Sequence, residues 1–287
     1  MQTVTILGAG RAGGALAIAF SRAGLLLDRL IFRSEPLELG IAIAQLQFTD
    51  LEAITSDILI VATADPDIRK VAEQIAGLEV LPKVALHLSG SLSSDELEPL
   101  RKLKVGVGSM HPLVSISDPD LGASRFAGAY FCIEGDVAAV RASTELVRAI
   151  GGNPFTIDTG AKPLYHASAV MASGNLTALF DAAIEILSRC GLERARAHEV
   201  LMPLLQSTVA NLMGQSTEAA LTGPFVRGDL DALNRHLRSF EGVIDDRLKA
   251  LYLLLAERSV EMVARSDHAG TRTLADAISM AKQKTGC

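Results

Sequence analysis

Short apolar runs alternate with helical segments over the first half of the chain. Runs typical of buried strands lie at 3–7, 29–32, 57–62, 83–88 and 103–108, and helical spacing extends over 11–23. Strands that alternate with helices form parallel sheets covered on both faces, so this half predicts an α/β domain with a parallel sheet. Two further runs, at 129–134 and 153–158, flank a helix over 136–150 and predict added edge strands.

The pattern changes after residue 158, where helical spacing replaces the strand runs. Helices are predicted over 162–189, 193–214, 229–240 and 243–265. Residues 164–187 contain two acids and neither Lys nor Arg, and a helix that is apolar on nearly all sides is normally buried on all sides. Either this helix is the spine of a second domain, or a second subunit covers it. The sequence therefore predicts a sheet domain over 1–158 and an all-helical domain over 159–287.

Composition and charge narrow the classes of partner. Residues 1–158 contain 13 Lys and Arg against 19 Asp and Glu, and residues 159–287 are balanced. Neither half has the basic excess that nucleic-acid backbones require. Aromatic residues make up 4% and Trp is absent, which also disfavours stacking of single-stranded nucleic acid. We expect no nucleic-acid partner.

The cysteines and the least polar segment bear on the compartment. Cys132, Cys190 and Cys287 lack metal spacing and form no disulfide framework, so a reducing compartment is expected. No signal-peptide pattern precedes the first strand. The stretch 200–217 contains Pro203 and polar amides, which make it a poor membrane span. The histidines show no ligand spacing, so we expect no metal site. The other observations together predict a cytoplasmic protein without a membrane segment.

A glycine-rich turn follows the first predicted strand. In VTILGAGRAGGAL, residues 4–16, three glycines have the spacing G-x-G-x-x-G, and an Ala-rich helix follows. In this context Gly8 allows the tight turn, Gly10 lets a pyrophosphate approach the backbone, and Gly13 lets the helix pack against the strand. The N–H groups at the start of the helix then bind the phosphates. The alternative is a purely structural turn. The predicted dinucleotide site comprises Gly8, Ala9, Gly10, Arg11, Ala12 and Gly13.

The end of the second strand bears on the choice of dinucleotide. An NAD site commonly places an acid there, but the stretch IFRSE has Arg33 and Ser34 first and Glu35 one step later. A guanidinium and a hydroxyl suit the additional 2′-phosphate of NADP. We therefore favour NADP over NAD, and a solvated charge at the strand end is the alternative role of Arg33.

Two further loops follow strands and are expected at the carboxyl edge of the sheet, where ligands of such folds bind. In ATADPD, small residues let a ribose and nicotinamide lie over the turn, and Asp65 before Pro66 predicts a helix cap. The HLSGS loop either lines the nicotinamide side or is an ordinary tight turn. The candidates are Ala62, Thr63, Ala64, Ser89 and Gly90 for the cofactor and Ser91 for the substrate.

Candidate acid–base residues come from both halves of the chain. GSMHPL places His111 at a strand end, and KPLYHASAVMASGNL places Lys162, Tyr165 and His166 within one helical turn. A histidine can donate a proton near neutral pH, so His166 and His111 are catalytic candidates, and Tyr165 is a residue that orients a substrate. The structural alternatives are a bond from His111 to the loop backbone and a polar seam between domains for the helical residues.

Two further polar residues are candidates for substrate binding. Ser173 lies two helical turns from His166. Arg227, in the turn-rich segment LTGPFVRGD, either binds a substrate carboxylate or pairs with Asp229 or Asp231.

Taken together, these motifs resemble those of one family. The resemblance covers about residues 2–260 and rests on the glycine loop and on FRS, LHLSGS, GSMHPL, YHASAVMAS and LTGPFVRGD. The chain is similar to Rossmann-like proteins that carry the helical domain of unknown function 2520 and are often labelled NADP oxidoreductase-like. Their architecture is similar to that of pyrroline-5-carboxylate reductase and 6-phosphogluconate dehydrogenase. The resemblance implies NADP at Gly8, Gly10, Gly13, Arg33 and Ser34.

The resemblance also implies a helical domain, similar to the C-terminal domain of 6-phosphogluconate dehydrogenase, that often mediates dimers. It implies no particular reaction. Relatives often read ASN where this chain reads Ala172, Ser173 and Gly174, with Asn175 one place later. We keep Asn175 among the substrate-binding candidates, at a position that differs from that of the family's amide.

Two functions fit these expectations. The first is an NADP-dependent oxidoreductase that transfers hydride between nicotinamide and a small carbonyl or imine substrate in a cleft between the domains. His166 or His111 would be the general acid. The second is a non-catalytic NADP-binding sensor or assembly protein. In either case we expect a homodimer formed through the helical domain.

Overall fold

The computed structural model describes residues 2–33, 35, 38–265 and 271–285. Eight strands form one sheet: β1 (Thr3–Leu7), β2 (Leu26–Phe32), β3 (Ala44–Gln47), β4 (Ile58–Val61), β5 (Val84–His87), β6 (Gly106–Pro112), β7 (Tyr130–Gly135) and β8 (Asn153–Thr156). The strand order is β3-β2-β1-β4-β5-β6-β7-β8, and every pair is parallel except β6 with β7. The chain thus folds as a Rossmann-type sheet followed by helices, which confirms the predicted fold class.

Twelve α-helices are described. They are α1 (Arg11–Arg22), α2 (Ile68–Ile75), α3 (Glu98–Arg101), α4 (Pro119–Arg125), α5 (Val137–Ala149), α6 (Lys162–Ala172), α7 (Gly174–Ser188), α8 (Arg194–Gly214), α9 (Thr217–Ala220), α10 (Leu230–Phe240), α11 (Asp246–Ala264) and α12 (Thr271–Thr285).

The sheet is covered on both faces because its central strands carry apolar side chains on both sides. One face packs on α1, α4 and α5 through residues such as Leu16, Phe126 and Leu146, and the other packs on α2 and α3 through Val71 and Leu100. All of these side chains are almost completely buried. Because β1, β4, β5 and β6 run parallel, they end at one carboxyl edge of the sheet. The glycine loop, the ATADPD loop, the HLSGS loop and the end of β6 meet at this edge.

Two strands of the sheet and one C-terminal helix differ from the sequence expectation. The edge strand β3 was not predicted, because its AQLQ sequence is mostly exposed and lacks an apolar run. The strand predicted over 103–108 begins only at Gly106, because residues 103–105 close a helical turn in which Lys104 adopts a positive φ of 67°. The C-terminal helix α12 was also not predicted.

The helix predicted over 162–189 is interrupted. Helix α6 ends at Ala172, Ser173 is non-helical with φ −125° and ψ −79°, and α7 begins at Gly174. A Ser–Gly pair is a common site for such a break, because glycine adds no side chain that favours continuation. The periodicity on both sides of the pair is helical, which is why the sequence pattern alone predicted one element.

Contacts divide the chain into two compact units, residues 1–174 and 175–287. The first unit extends past the boundary predicted at 158/159 and includes α6, whose buried residue Lys162 bonds to Ser89 and Ser109 of the sheet domain. In the second unit α10, α11 and α12 share a core that contains Leu233, Leu253 and Ile278. The functional domain boundary at 158/159 stays a prediction.

The apolar helical segment is largely exposed in the single chain. Ile184 is the one buried residue of α7 among the described side chains, and Leu164, Leu176 and Leu179 are exposed. The expectation that this segment forms the spine of a second domain is therefore wrong. By length and composition alone, Thr159–Ser188 could cross a membrane. Its first turn, however, is anchored to the sheet unit by Lys162, which is completely buried.

Candidate functional site

The glycine loop has the geometry of a phosphate-binding turn. Gly8 has a φ of +110°, and a Cβ at Gly8 would lie 2.6 Å from the carbonyl of Ala62. A Cβ at Gly13 would overlap the carbonyl oxygen of Gly8, whereas one at Gly10 would meet nothing within 4 Å. Gly10 is the N-cap of α1, and because it has no side chain it cannot cap the first N–H groups of the helix. The first N–H groups of α1 thus border open space next to Gly10, as an anion site requires.

A cavity of about 370 Å³ lies over this turn. Its wall includes Phe32, Glu35 and Asp67. It also includes seven of the residues predicted for the cofactor, which are Gly8, Ala9, Gly10, Arg33, Ala62, Thr63 and Ala64. The Thr63 Oγ1 atom is buried without a hydrogen-bond partner. An orphaned hydroxyl, a helix N-terminus and a glycine cradle together fit an extended anionic ligand such as a dinucleotide. Arg11, Ala12 and Gly13 form the first turn of α1.

The end of β2 carries charges of both signs. The Arg33 Nη1 atom lies 2.8 Å from Asp67 Oδ2, and the Arg33 guanidinium lies 5.8 Å from the centre of the Phe48 ring. Glu35 lines the same cavity. Arg33 is therefore paired rather than freely solvated, and it can meet an added phosphate only in competition with Asp67. Ser34, predicted beside it, lies outside the described residues.

A second cluster of polar side chains forms where β6 meets α6, also within the first unit. The His111 Nδ1 atom lies 2.7 Å from the Tyr165 hydroxyl, and the rings of His111 and His166 meet edge to face with their centres 5.9 Å apart. The three predicted catalytic residues therefore lie together. His111 lies at the end of β6, as the sequence predicted. Tyr165 and His166 lie in the first turns of α6.

Burial sets the protonation of His111 and Tyr165. It lowers the pKa of His111 to about 4, and the charge of Lys162 adds to this effect. Burial also raises the pKa of Tyr165, with Cys132 as a further cause. His111 is therefore a neutral imidazole near neutral pH, and Tyr165 keeps its proton. In this state the pair can share a hydrogen bond without either group carrying a charge.

The HLSGS loop is held tightly around Gly90. The Ser89 and Ser91 hydroxyls donate to Asp65 Oδ2 over 2.9 and 3.0 Å. A Cβ at Gly90 would overlap the His166 ring and lie 2.8 Å from His111 Nε2. Only glycine therefore allows both imidazoles to approach this turn. The predicted capping role of Asp65 is wrong, because Ala64 is the N-cap of the 3₁₀-helix Asp65–Asp67 and the Asp65 carboxylate binds the two serines instead.

An apolar cavity of about 450 Å³ lies beside the imidazoles. His111, His166 and Ser173 are on its wall, and the remaining lining comes from Pro112 at the end of β6, from residues 113–115, from α6 and from Gly174. Ser91 is not part of this wall. A small organic molecule in the cavity would thus contact both histidines and the predicted Ser173. Cavities of this size and character are typical small-molecule sites.

The other predicted substrate residues belong to the second unit. Asn175 is in the first turn of α7, and Arg227 is an exposed residue between α9 and α10. Asp229, one predicted partner of Arg227, instead caps α10 by accepting from Ala232 N over 2.8 Å. The roles of Asn175 and Arg227 in substrate binding stay predictions.

Two buried residues of the site had no functional role in the sequence expectation. Lys162 donates to the backbone oxygen of Ser89 and to Ser109 Oγ, each over 2.7 Å. His87 accepts from Ser89 N at Nδ1, while its Nε2 atom lies 3.0 Å from Ser93 O. A lysine at the start of an apolar helix was the available signal for Lys162. Within the described residues, no group of three His, Cys, Asp or Glu side chains could hold a metal ion.

Residues 129–259 match the model of a family described as the domain of unknown function DUF2520. The matched segment begins at the edge of β7 and ends within α11, so it includes the last two strands and α6 with Tyr165 and His166. The resemblance predicted from the motifs is confirmed.

Solved structures share the fold over nearly the whole chain. Protein TM1727 from Thermotoga maritima has a TM-score of 0.74 at 22% identity, covering 92% of this chain and 100% of its own. BF3122 from Bacteroides fragilis, named as a candidate NADP oxidoreductase, has a TM-score of 0.70 at 21% identity, covering 90% and 97%. The pyrroline carboxylate reductase from Plasmodium falciparum with NADP bound has 0.58 at 12% identity, covering 96% and 98%.

At these identities, the likeness to solved structures establishes the fold of the chain and does not establish its chemistry. No curated protein sequence matches the chain.

Proposed function

We propose that this protein is an NADP-dependent oxidoreductase that acts on a small carbonyl or imine substrate. The observation that carries the proposal is the pair of imidazoles, backed by Tyr165, on the wall of an apolar cavity. This cavity and the glycine cradle belong to the same carboxyl edge of the sheet. A bound nicotinamide would supply or accept the hydride, and the residues of this chain would position the substrate and move the accompanying proton.

The two histidines receive different roles in this proposal. His111 is partly buried, neutral and held at Nδ1 by Tyr165, so it orients the substrate by hydrogen bonding from the opposite side of its ring. His166 is partly exposed and lines the same cavity, so solvent can reach its ring. We therefore assign the general acid to His166 and the orienting role to His111 and Tyr165.

The test is consumption of reduced nicotinamide in the presence of a panel of ketones, aldehydes, imines and keto acids. We expect turnover with at least one class, and we expect His166→Ala to reduce turnover by about 100- to 10,000-fold while cofactor binding is retained. His198→Ala, an exposed position in α8, is the matched control and should leave turnover unchanged. Cofactor binding without turnover across the panel would instead identify a non-catalytic sensor.

We also propose NADP rather than NAD as the cofactor, with Arg33 as the residue that distinguishes them. Loss of a charge-assisted contact to a phosphate costs about 1.5–3 kcal/mol, so Arg33→Asp should weaken NADPH binding roughly 10- to 100-fold more than NADH binding. Calorimetric titration of both cofactors measures this difference. Arg22→Ala, which removes an exposed pair with Asp120 outside the cradle, is the control. Equal losses for the two cofactors would refute the assignment.

A second copy of the chain is the partner that we propose for the exposed apolar face of α7 and α8. A groove on this face is lined by seven apolar side chains and one threonine: Leu176, Leu179, Phe180, Ala183, Leu201, Leu204, Leu205 and Thr208. Isolated soluble chains rarely leave such continuous apolar surface uncovered.

We propose the cytoplasm as the compartment of the protein. The free cysteines Cys132 and Cys190 are compatible with its reducing conditions.

We expect light scattering to give twice the mass of one chain at micromolar concentration. Leu204→Glu should give a monomer, because it places a charge in the centre of the proposed interface, where Leu204 is 65% exposed in the single chain. Leu103→Glu, at an exposed position of the sheet unit, is the control and should stay dimeric. A monomeric mass for the unmodified protein would contradict this proposal.

A further inference from the structure

Lys162 is a buried cation at the centre of the polar cluster. Its side chain has no solvent exposure, and it is among the largest completely buried side chains of the chain. Its ammonium donates to Ser89 O and Ser109 Oγ, and none of the described carboxylates comes within ion-pair distance of it. Burial of an ammonium without an ion-pair partner is costly. A residue kept at this cost needs a role beyond packing.

The contacts of Lys162 connect three elements of the site. Ser89 opens the turn that carries Gly90, Ser109 belongs to β6 two residues before His111, and Lys162 itself begins α6. Ser109 Oγ also lies 3.3 Å from Ser89 O, which closes a small ring of hydrogen bonds. The ammonium therefore fixes the distance between the Gly90 turn and the strand that presents His111.

The same ammonium acts on the charge of the histidine. Burial is the largest cause of the lowered pKa of His111, and the charge of Lys162 is the next. The titratable groups that face His111 are Lys162, Tyr165 and His166 from α6, Cys132 from β7, His87 from β5 and Asp65 from the loop after β4. Of these, Asp65 favours the protonated form, and Lys162 opposes it.

Burial lowers the pKa of Lys162 itself, while Cys132, Glu134 and Asp65 act in the opposite direction. The two hydrogen-bond acceptors, both oxygens, also favour the charged ammonium over the neutral amine.

We propose that Lys162 is a positioning residue: its buried ammonium fixes the Gly90 turn against β6 and holds His111 as the neutral imidazole that the reaction requires. This inference rests on the proposed function, because it assigns His111 the orienting role. With Lys162 charged, His111 stays an uncharged hydrogen-bond partner of Tyr165. Without that charge, His111 takes up a proton more readily.

The experiment follows the imidazole resonances of the full chain by NMR while pH is varied, with His111 assigned from a His111→Gln variant. In the unmodified protein, His111 should show no protonation between about pH 7.5 and pH 5.5. In Lys162→Met its midpoint should rise by about one pH unit, because the nearby positive charge is gone. Lys162→Gln, which keeps a hydrogen-bond donor but has no charge, should also raise the titration midpoint of His111.

Two controls separate charge from packing. Ser109→Ala removes one hydrogen bond of Lys162 but keeps its ammonium, so the His111 midpoint should stay near its original value. Lys83→Met removes an exposed lysine that pairs with Asp57 at the other end of β5, and it should also have no effect. An unchanged His111 midpoint in both Lys162 variants would overturn the inference.

A measurement on the unmodified protein covers the case in which the Lys162 variants fail to fold. The Nζ resonance of Lys162 reports whether the group is an ammonium at pH 7, and a neutral amine would also overturn the inference. Both readouts are independent of turnover. If no substrate is found, the proposed function fails while the titration still decides the role of Lys162.

Discussion

Gly10→Ala is expected to abolish nucleotide binding and leave folding intact. The added methyl group meets no atom within 4 Å, and Gly10 has a φ of −73° that alanine adopts easily. The methyl group would project into the space where a diphosphate must approach the first turn of α1. We expect NADPH binding to weaken by about a hundredfold or more, equivalent to roughly 2.7 kcal/mol, with an unchanged melting temperature.

Gly13→Ala is expected to damage both folding and binding. A Cβ at Gly13 would overlap the backbone oxygen of Gly8, and a backbone atom cannot move aside as a flexible side chain can. Helix α1 would have to separate from β1 at the start of the sheet. We expect a loss of about 3 kcal/mol in the free energy of unfolding, which corresponds to a melting temperature lower by roughly 6–12 °C.

The comparison of the two glycine variants makes the prediction specific. Gly214→Ala, in the last turn of α8, is the control because its Cβ also meets nothing within 4 Å. It should change neither binding nor stability. Calorimetric titration and thermal unfolding measure the two properties separately. Normal NADPH binding by Gly10→Ala would refute the proposed cradle, and normal stability of Gly13→Ala would refute the close approach of α1 to the turn.

The second large effect is a loss of stability in mild acid. Burial lowers the pKa of both His87 and His111 to about 4, below the ordinary value near 6.5. Between these values the unfolded chain binds the two protons and the folded chain does not. Stability is therefore fully present above about pH 6.5, and it falls by about 1.4 kcal/mol per pH unit for each histidine as the pH falls toward 4.

The geometry around His87 explains why it resists protonation. Its Nδ1 atom accepts from Ser89 N, so a proton on this nitrogen would break that hydrogen bond and leave two donors facing each other. The Nε2 atom is already occupied as a donor to Ser93 O. Protonation would therefore disrupt the loop that carries Gly90. Acid should loosen the site in the same range in which it lowers global stability.

Denaturant unfolding between pH 7.5 and pH 4.5 measures the slope of stability against pH. His87→Gln and His111→Gln should each make the slope shallower by about 1.4 kcal/mol per pH unit, although each variant also loses hydrogen bonds. His198→Gln, at an exposed position of α8, should leave the slope unchanged. A stability that does not change across this range would contradict the buried, neutral state of both histidines.

Much of the sheet unit could be predicted because local patterns determine it. The run at 3–7, the glycine spacing and the Ala-rich segment after it specify a strand, a turn and a helix within a few residues of each other, and the structure confirms all three. Strand β3 was not predicted because an exposed edge strand needs no apolar pattern. The break at Ser173 was not predicted because both flanking segments have the same helical period.

The candidate site shows where local information ends. His111 and Tyr165 are separated by more than fifty residues in sequence, and only the packing of α6 on the end of β6 places them 2.7 Å apart. Asp65 was predicted as a helix cap on local grounds. Its carboxylate instead binds two serines of the next loop, a contact that depends on the order of β4 and β5 in the sheet.

The sequence by itself determined the fold class, the glycine cradle and the presence of imidazoles near the carboxyl edge, because strand and helix periodicity and glycine spacing act over short distances. The tertiary structure alone decided that Lys162 is completely buried and that His111 is neutral. Burial and the field of a distant charge depend on which elements pack around a group, and this information is not contained in the neighbouring residues of the chain.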